Sequence, residues 1–241
     1  MNIKYLKFNE IDSTNLYLKE NYQSLDNWTI VEAKYQSAGR GRYTRKFLID
    51  YGKGLIESIL LKEEFAFQNA DLISIMIGAA LSKTLESYGV KSSIKWPNDV
   101  LVNDKKISGI LLEGVSTSKM EALILGIGIN INQDAFPKEL DHAISLKMVI
   151  YKETSINNFS DLFNGTFIKL YESFKNNHDK SFIDYLNSKL AYKNEEVYGE
   201  VNGEKRKIKI LKIEDDGCLL VVDNEKLMKL RSGELSFHGC L

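Results

Sequence analysis

Cysteine is scarce in this sequence, which has only Cys218 and Cys240 among its 241 residues. Two cysteines do not make a disulfide framework, and such scarcity is typical of a reducing compartment. Excess charge is absent as well, because 32 basic and 33 acidic side chains leave a formal net charge of −1. No overall electric field therefore attracts nucleic acid or an anionic membrane to the chain.

Long apolar runs are also missing. No uninterrupted apolar segment reaches the roughly 20 residues that span a bilayer, and residues 1–15, MNIKYLKFNEIDSTN, carry scattered charges instead of an apolar signal core. The three histidines, His142, His178 and His238, lack the spacing of metal ligands, and we interpret them as surface or structural residues. We therefore expect a cytoplasmic protein that neither contacts a membrane nor uses a cysteine or histidine nucleophile.

The apolar patterns that are present predict two domains. Up to residue 192, strand-like segments alternate with helices, including one that Asp12 or Ser13 caps, one over about 69–88, and two within 156–190. From residue 193 onward, short strands alternate with turns at NGE, EDDG and DNE. We predict an α/β (α+β) domain over 1–192 with helices packed on a mixed sheet, and a small SH3-like β-barrel over 193–241.

A glycine- and arginine-rich segment, YQSAGRGRYTRKF, follows the second predicted strand at residues 35–47. Glycine lets a ligand approach the backbone closely, and arginine offers a rigid fork of donors that matches carboxylate and phosphate. The segment is neither a Walker A loop nor a dinucleotide fingerprint, because Thr44 stands where the latter needs glycine. An anion-binding loop and a solvated surface loop both fit this composition.

Two further motifs stand near predicted strand ends. In KWPNDV, Pro97 ends a strand, so that Lys95 lies where a functional side chain can enter a cleft. If this motif is considered alone, the favoured interpretation is an ordinary lysine beside a core tryptophan. In GIGIN, two glycines leave room for a large group against the strand, and Asn130 can bind an amide or a base edge. A tightly packed central strand explains GIGIN equally well.

Taken together and in this order, the motifs resemble those of the biotin protein ligases. The resemblance covers Ser13 to Phe237 and rests on five segments: DSTN, QSAGRGRYTRKF, KWPNDVLVNDKKISGILLE, GIGIN and SGELSF. It is closest to the form without an N-terminal DNA-binding domain, because DSTN begins at Asp12 and leaves no room for a helix-turn-helix before it. The family's fold is the catalytic domain and small SH3-like domain that the patterns predict.

The resemblance implies a role for each matched residue. Lys95 and Arg42 would be catalytic, and biotin would be held by Ser13, Thr14, Asn15, Gln36, Arg40, Gly41, Arg42 and Lys95. ATP and the adenylate would be held by Gly39, Arg42, Arg45, Phe47 and Asn130. Phe47 departs from well-known family members, which carry tryptophan there, but phenylalanine can still stack on adenine with a smaller face.

The implied reaction is ATP-dependent activation of biotin to biotinyl-5′-AMP, followed by transfer to a lysine of a biotin carboxyl carrier protein, such as that of acetyl-CoA carboxylase. Biotin and ATP would be substrates, with Mg²⁺ shielding the phosphates; the magnesium ligands are not evident from the sequence. The resemblance implies no DNA or membrane partner, and homodimerisation through sheet edges stays open. Two alternatives also stay open: a lipoate– or octanoate–protein ligase, and a biotin-binding module without transfer activity.

Overall fold

The computed structural model describes residues 2–42, 47–201 and 203–237. Its larger sheet holds seven strands in the order β1-β2-β3-β7-β6-β5-β4, in which β1 and β2 are parallel and the other neighbours are antiparallel. The strands are β1 (Lys4–Phe8), β2 (Thr29–Ala33), β3 (Gly54–Leu61), β4 (Ser93–Lys95), β5 (Asp99–Val102), β6 (Lys105–Ser116) and β7 (Met120–Asn130). The prediction of a mixed sheet is confirmed.

Helices cover both faces of this sheet. They are α1 (Thr14–Asn21), α2 (Glu64–Gln68), α3 (Ala70–Ser87), α4 (Leu146–Ile150), α5 (Ile156–Asn177) and α6 (Ser181–Ser188). On one face, α1 buries Leu18 against Val31, Leu60 and Ile124. On the other face, α3 and α5 cover the main core.

The sequence explains the main helical layer. Helix α3 is apolar on nearly all sides and is buried along most of its length, and Gly89 follows its end with a φ of +75° that glycine adopts without strain. Helix α5 is amphipathic and buries an aromatic stripe that includes Phe159, Phe163 and Phe167. This stripe holds α5 against the sheet and α3.

A second, smaller sheet follows the helices. It is antiparallel, with the order β11-β10-β9-β8-β12. Its strands are β8 (Glu196–Val201), β9 (Glu204–Ile213), β10 (Leu219–Asp223), β11 (Lys226–Leu230) and β12 (Leu235–Phe237). The change to short strands after residue 193 is confirmed, whereas closure into an SH3-like barrel and the boundary between 192 and 193 stay predictions.

The two sheets meet at a turn between β9 and β10. The indole N–H of the buried Trp96 donates to the carbonyl of Gly217 over 3.0 Å. Asn187 of α6 exchanges two hydrogen bonds with the backbone of Ile213 in β9, at 2.8 and 2.7 Å. Buried apolar residues of both sheets form one continuous cluster. The C-terminal sheet is thus fixed to the KWPND segment by a buried polar contact.

None of the helices within the described ranges is both long enough and apolar enough to cross a membrane.

Candidate active site

A pocket opens on the face of the larger sheet that carries α1. It lies between the start of α1, the beginning of the arginine-rich segment, and strands β3, β6 and β7. The residues that the sequence predicts and that line this pocket are Ser13, Thr14, Asn15, Gln36, Arg40, Gly41, Arg42 and Phe47. These residues come from two motifs, and the lining residues Asn98, Lys106, Gly126 and Gly128 bring two further motifs to the same place.

One end of the pocket is a network of uncharged polar side chains. Gln36 Oε1 accepts from the backbone N–H of Thr14 over 2.7 Å and from its hydroxyl over 2.9 Å. Ser58 Oγ of β3 lies 2.7 Å from Thr14 Oγ1 and 2.5 Å from Asn15 Oδ1. Asn15 Nδ2 donates to Glu113 Oε2 of β6 over 2.7 Å. Donors and acceptors are thus fixed before a ligand arrives.

The local sequence explains why this network is rigid. Ser13 is the N-cap of α1, as predicted for Asp12 or Ser13, and its hydroxyl accepts from Leu16 N over 3.4 Å. Asp12 Oδ1 accepts in turn from Ser13 N over 2.7 Å. Thr14 and Asn15 therefore stand in the first turn of a capped helix, and both are buried.

Two glycines of β7 make the space for the side chains above them. A Cβ on Gly126 would lie 2.9 Å from Asn15 Cγ and Nδ2, and a Cβ on Gly128 would lie 2.6 Å from Phe47 Cδ1 and 2.9 Å from its Cζ. Carbon atoms in contact are normally about 3.5 to 4.0 Å apart. The prediction that GIGIN leaves room for large groups is confirmed, and the groups are Asn15 and Phe47.

The other end of the pocket brings two cations together. Arg42 Nη1 donates to Asn98 Oδ1 over 2.8 Å, and Lys106 Nζ lies 2.7 Å from Asp99 Oδ1. Asn98 Nδ2 also donates to Asp99 Oδ1 over 3.1 Å. Consecutive residues of the KWPND segment therefore set the positions of both cations.

Among the described residues, Lys106 is the lysine that lines the pocket, and its local sequence did not single it out. Its Nζ is 5.9 Å from the centre of the Phe47 ring, and its side chain runs beside Gly109, whose Cβ would lie 3.0 Å from Lys106 Cε and Nζ. Lys95 ends β4 at the outer edge of the sheet and is not among the described residues that line the pocket. Within the described ranges, Arg42 and Lys106 thus line the pocket together, whereas Lys95 does not line it.

Two other predicted residues, Gly39 and Asn130, lie outside the pocket wall. Gly39 closes the base of the arginine-rich segment, where its carbonyl accepts from Phe47 N over 3.3 Å. Asn130 is buried at the end of β7 and donates to the carbonyl of Ile144 over 3.2 Å. Arg45 lies outside the described residues.

Sequence reasoning also missed Ser58, Glu113, Asn98 and Asp99 as site residues. Asn98 and Asp99 stood inside the quoted KWPND motif, so the signal was available. Ser58 and Glu113 are polar residues beside apolar stretches of their strands, which is a weak signal until strand pairing places them beside α1. The buried position of Glu57, next to Ser58, gave no signal either.

The described residues contain no cluster of three or more histidine, cysteine, aspartate or glutamate side chains that could hold a metal ion. The functional groups of the pocket are hydroxyls, amides and cations. Such a site binds a polar ligand that ends in an anionic group, and it stabilises negative charge on oxygen.

Comparison with known sequences places the chain in a family. A family model described as the biotin/lipoate A/B protein ligase family matches residues 7–130. The bifunctional ligase/repressor BirA of Bacillus subtilis (strain 168) is 31% identical over 222 residues, or 86% of this chain and 65% of the relative. The chain thus spans slightly less than two thirds of that relative's length.

A shorter match and a solved structure agree with this. The biotin–[acetyl-CoA-carboxylase] ligase of Paracoccus denitrificans is 33% identical over 124 residues, or 50% of this chain and 51% of the relative. The biotin protein ligase from Aquifex aeolicus, solved in complex with biotin and ATP, aligns with a TM-score of 0.87 and 32% identity over 98% of both chains. Because the family model covers more than half of its residues, this chain belongs to the biotin/lipoate A/B protein ligase family.

Proposed function

We propose that this chain is an ATP-dependent biotin–[biotin carboxyl carrier protein] ligase. It activates biotin to biotinyl-5′-AMP and transfers the biotin to one lysine of a carrier protein. The observation that carries the proposal is the two-ended pocket, in which a fixed network of neutral donors and acceptors faces a pair of cations. The Aquifex aeolicus enzyme, which has the same fold over 98% of both chains, was solved with biotin and ATP.

The neutral end suits the ureido ring of biotin. A ureido group has two N–H donors and one strong acceptor, so its site needs both kinds of partner. Ser13, Thr14, Asn15 and Gln36 supply hydroxyls and amides there, and Ser58 holds Thr14 and Asn15 in place. Arg40 and Gly41 line the wall next to this end, where they would enclose the valeryl chain.

The cationic end suits the reacting groups. In the first step, the biotin carboxylate attacks the α-phosphate of ATP, and pyrophosphate leaves. In the second step, the amine of the acceptor lysine attacks the acyl carbon of the adenylate, AMP leaves, and the amine loses a proton. Both steps develop negative charge on oxygen, which fixed cations stabilise. Arg42 and Lys106 are positioned for this, and Lys106 takes the role that the resemblance gave to Lys95.

The nucleotide would extend from the cations over Phe47. The ring of Phe47 lies on Gly128 and beside Gly109, where it can stack on adenine. Gly39 would support this segment through its contact with Phe47. Asn130 near the adenine and Arg45 near the phosphates stay predictions, as does Mg²⁺, which enters with ATP and would draw its ligands mainly from phosphates and water.

Several further parts of the proposal concern the setting of the enzyme. The acceptor would be a biotin carboxyl carrier protein of the acetyl-CoA carboxylase kind, which the name of the Paracoccus relative suggests. We place the reaction in the cytoplasm, and homodimerisation stays open. We also propose that the C-terminal sheet closes into an SH3-like barrel.

Biotin-dependent exchange of labelled pyrophosphate into ATP tests the proposal. The purified protein should catalyse exchange with biotin and not with lipoate or octanoate, and it should then label a biotin carboxyl carrier domain. Exchange with lipoate or octanoate alone would establish the alternative ligase activity. Biotin binding without exchange would establish a binding module. The cations Arg42 and Lys106 argue against a binding module without transfer activity, because biotin binding alone does not need both of them.

A further inference from the structure

A buried acid lies directly behind the neutral end of the pocket. Glu57 is in the middle of β3 and has 0% exposure. It stands opposite Glu32 of β2 in the antiparallel register, and Glu32 stands opposite Lys7 of β1. On the other side, the partner of Glu57 in β7 is the uncharged Ile127. The row therefore contains two carboxyl groups and one ammonium group.

The hydrogen bonds around Glu57 are incomplete. Its Oε2 accepts from Asn164 Nδ2 of α5 over 3.1 Å and lies 3.4 Å from Ser160 Oγ. Ser160 Oγ also lies 3.1 Å from Glu32 Oε1, and its single proton serves one carboxylate at a time. Within the described residues, Glu57 Oε1 and Asn164 Oδ1 are buried without a hydrogen-bond partner.

These surroundings favour the neutral carboxyl. The only cation in the row, Lys7, is 2.7 Å from Glu32 Oε2 and is committed to that carboxylate. Tyr5 of β1 also lies close enough to Glu57 for the two groups to interact electrostatically, and it is not a cation. Burial, and to a smaller extent Glu32, raises the pKa of Glu57 to about 8, against the opposing hydrogen bonds of Asn164 and Ser160 and the opposing charge of Lys7.

Glu57 and the ligand network share one strand. Successive side chains of a strand point to opposite faces, so the carboxyl of Glu57 contacts α5 while the hydroxyl of Ser58 contacts Thr14 and Asn15. A movement of β3 that gives water access to a charged Glu57 would also move Ser58. The two faces of β3 are thus coupled through one peptide bond.

We propose that Glu57 is a proton-controlled positioning residue for the biotin end of the pocket. When the carboxyl of Glu57 carries a proton, β3 packs against α5. Ser58 then holds Thr14 and Asn15 in the arrangement that binds biotin. Loss of that proton to solvent leaves a carboxylate opposite Glu32. This weakens the packing of β3 against α5 and thereby weakens biotin binding. The inference rests on the proposed function in that it takes biotin as the ligand.

Calorimetric titration with biotin alone, at about pH 6.5 and about pH 9, tests the inference on wild type and on Glu57→Gln. Glutamine has the same shape and does not titrate. We expect the wild-type Kd to rise by about threefold or more over this range, while the Kd of Glu57→Gln stays nearly constant. Groups that titrate elsewhere affect both proteins equally and cancel in the comparison.

Two further arms separate the inference from the proposed function. In ligand-free protein, exchange of the Thr14 amide, which donates to Gln36, should lose protection at high pH in wild type more than in Glu57→Gln. Ser58→Ala should keep the pH dependence of stability that Glu57 causes but lose that of biotin affinity. If wild type and Glu57→Gln show parallel Kd and parallel exchange profiles, the inference is overturned. If only stability differs between them, Glu57 is structural and the inference is equally overturned.

Discussion

Two glycines of β7, two residues apart, offer a test that separates the two ends of the pocket. Gly126 lies under Asn15, and Gly128 lies under the Phe47 ring. Neither glycine has a positive φ, so alanine fits the backbone at both positions. The effect of each substitution therefore comes from the steric contacts of the added methyl group. We expect Gly126→Ala to impair biotin binding and Gly128→Ala to impair ATP use.

The distances determine the size of each effect. A methyl group on Gly128 would lie 2.6 Å from Phe47 Cδ1, about 1 Å inside carbon–carbon contact. Because β7 is held between β3 and β6 and Phe47 is only half-buried, the ring moves rather than the strand. Loss of an aromatic–base stack costs about 1 to 3 kcal/mol, so the KM for ATP should rise roughly 5- to 150-fold.

Gly126→Ala meets a buried neighbour instead. Asn15 is held by Ser58 and Glu113 and cannot retreat, so we expect overpacking to cost about 1 to 3 kcal/mol of unfolding free energy in addition to lost biotin affinity. Gly165→Ala in α5 is the matched control, because nothing lies within 4 Å of its added methyl group, and alanine stabilises a helix interior by roughly 0.5 to 1 kcal/mol. Pyrophosphate exchange at varied ATP, together with biotin calorimetry, measures both effects. A folded Gly128→Ala with an unchanged KM for ATP would refute the placement of the nucleotide over Phe47.

Three further predictions follow from the contacts of the site. Lys106→Met should slow biotin-dependent pyrophosphate exchange by about 10²- to 10³-fold, equivalent to roughly 2.7 to 4 kcal/mol, while Lys95→Met should change the rate little. A larger effect of Lys95→Met than of Lys106→Met would make Lys95 the catalytic lysine. At matched adenylate turnover, Arg40→Gly should release biotinyl-AMP and biotinylate bulk protein. Labelling confined to the carrier domain would show that Arg40 does not retain the intermediate. Trp96→Phe should lower the unfolding free energy by about 1 to 3 kcal/mol, because it leaves the carbonyl of Gly217 without its donor; an unchanged denaturation midpoint would contradict this.

Local patterns were enough to predict the features that depend on neighbouring residues. The helical period predicted α3 and α5, which the structure confirms. The N-cap of α1, predicted at Asp12 or Ser13, is Ser13, and a cap can be predicted because it depends on consecutive residues. In each case, the information lies within a few residues.

The lysine of the pocket could not be predicted in this way. Lys95 and Lys106 both stand near strand ends and beside apolar runs, and no local period separates them. Their positions depend on the order of strands, which puts β4 at the sheet edge, and on a bulge next to Val100 in the pairing of β5 with β6. Ser58 and Glu57 depend likewise on which face of β3 meets α1 and which meets α5. Long-range pairing determines these positions, and a single sequence does not show it.

The contact between Trp96 and Gly217 limits how far the two sheets of this protein can be exchanged as independent modules. The residue pair Trp96–Pro97 leads directly into Asn98 and Asp99, which hold the two cations of the pocket. A chimera that takes its C-terminal segment from a relative must supply a backbone carbonyl at the position of Gly217, or a buried indole N–H loses its acceptor. The same turn lies close to the start of α3, because a Cβ on Gly217 would be 3.3 Å from Leu72 Cδ2. Compatibility in such a graft will therefore be decided by the conformation of one turn more than by the overall identity of the transplanted segment.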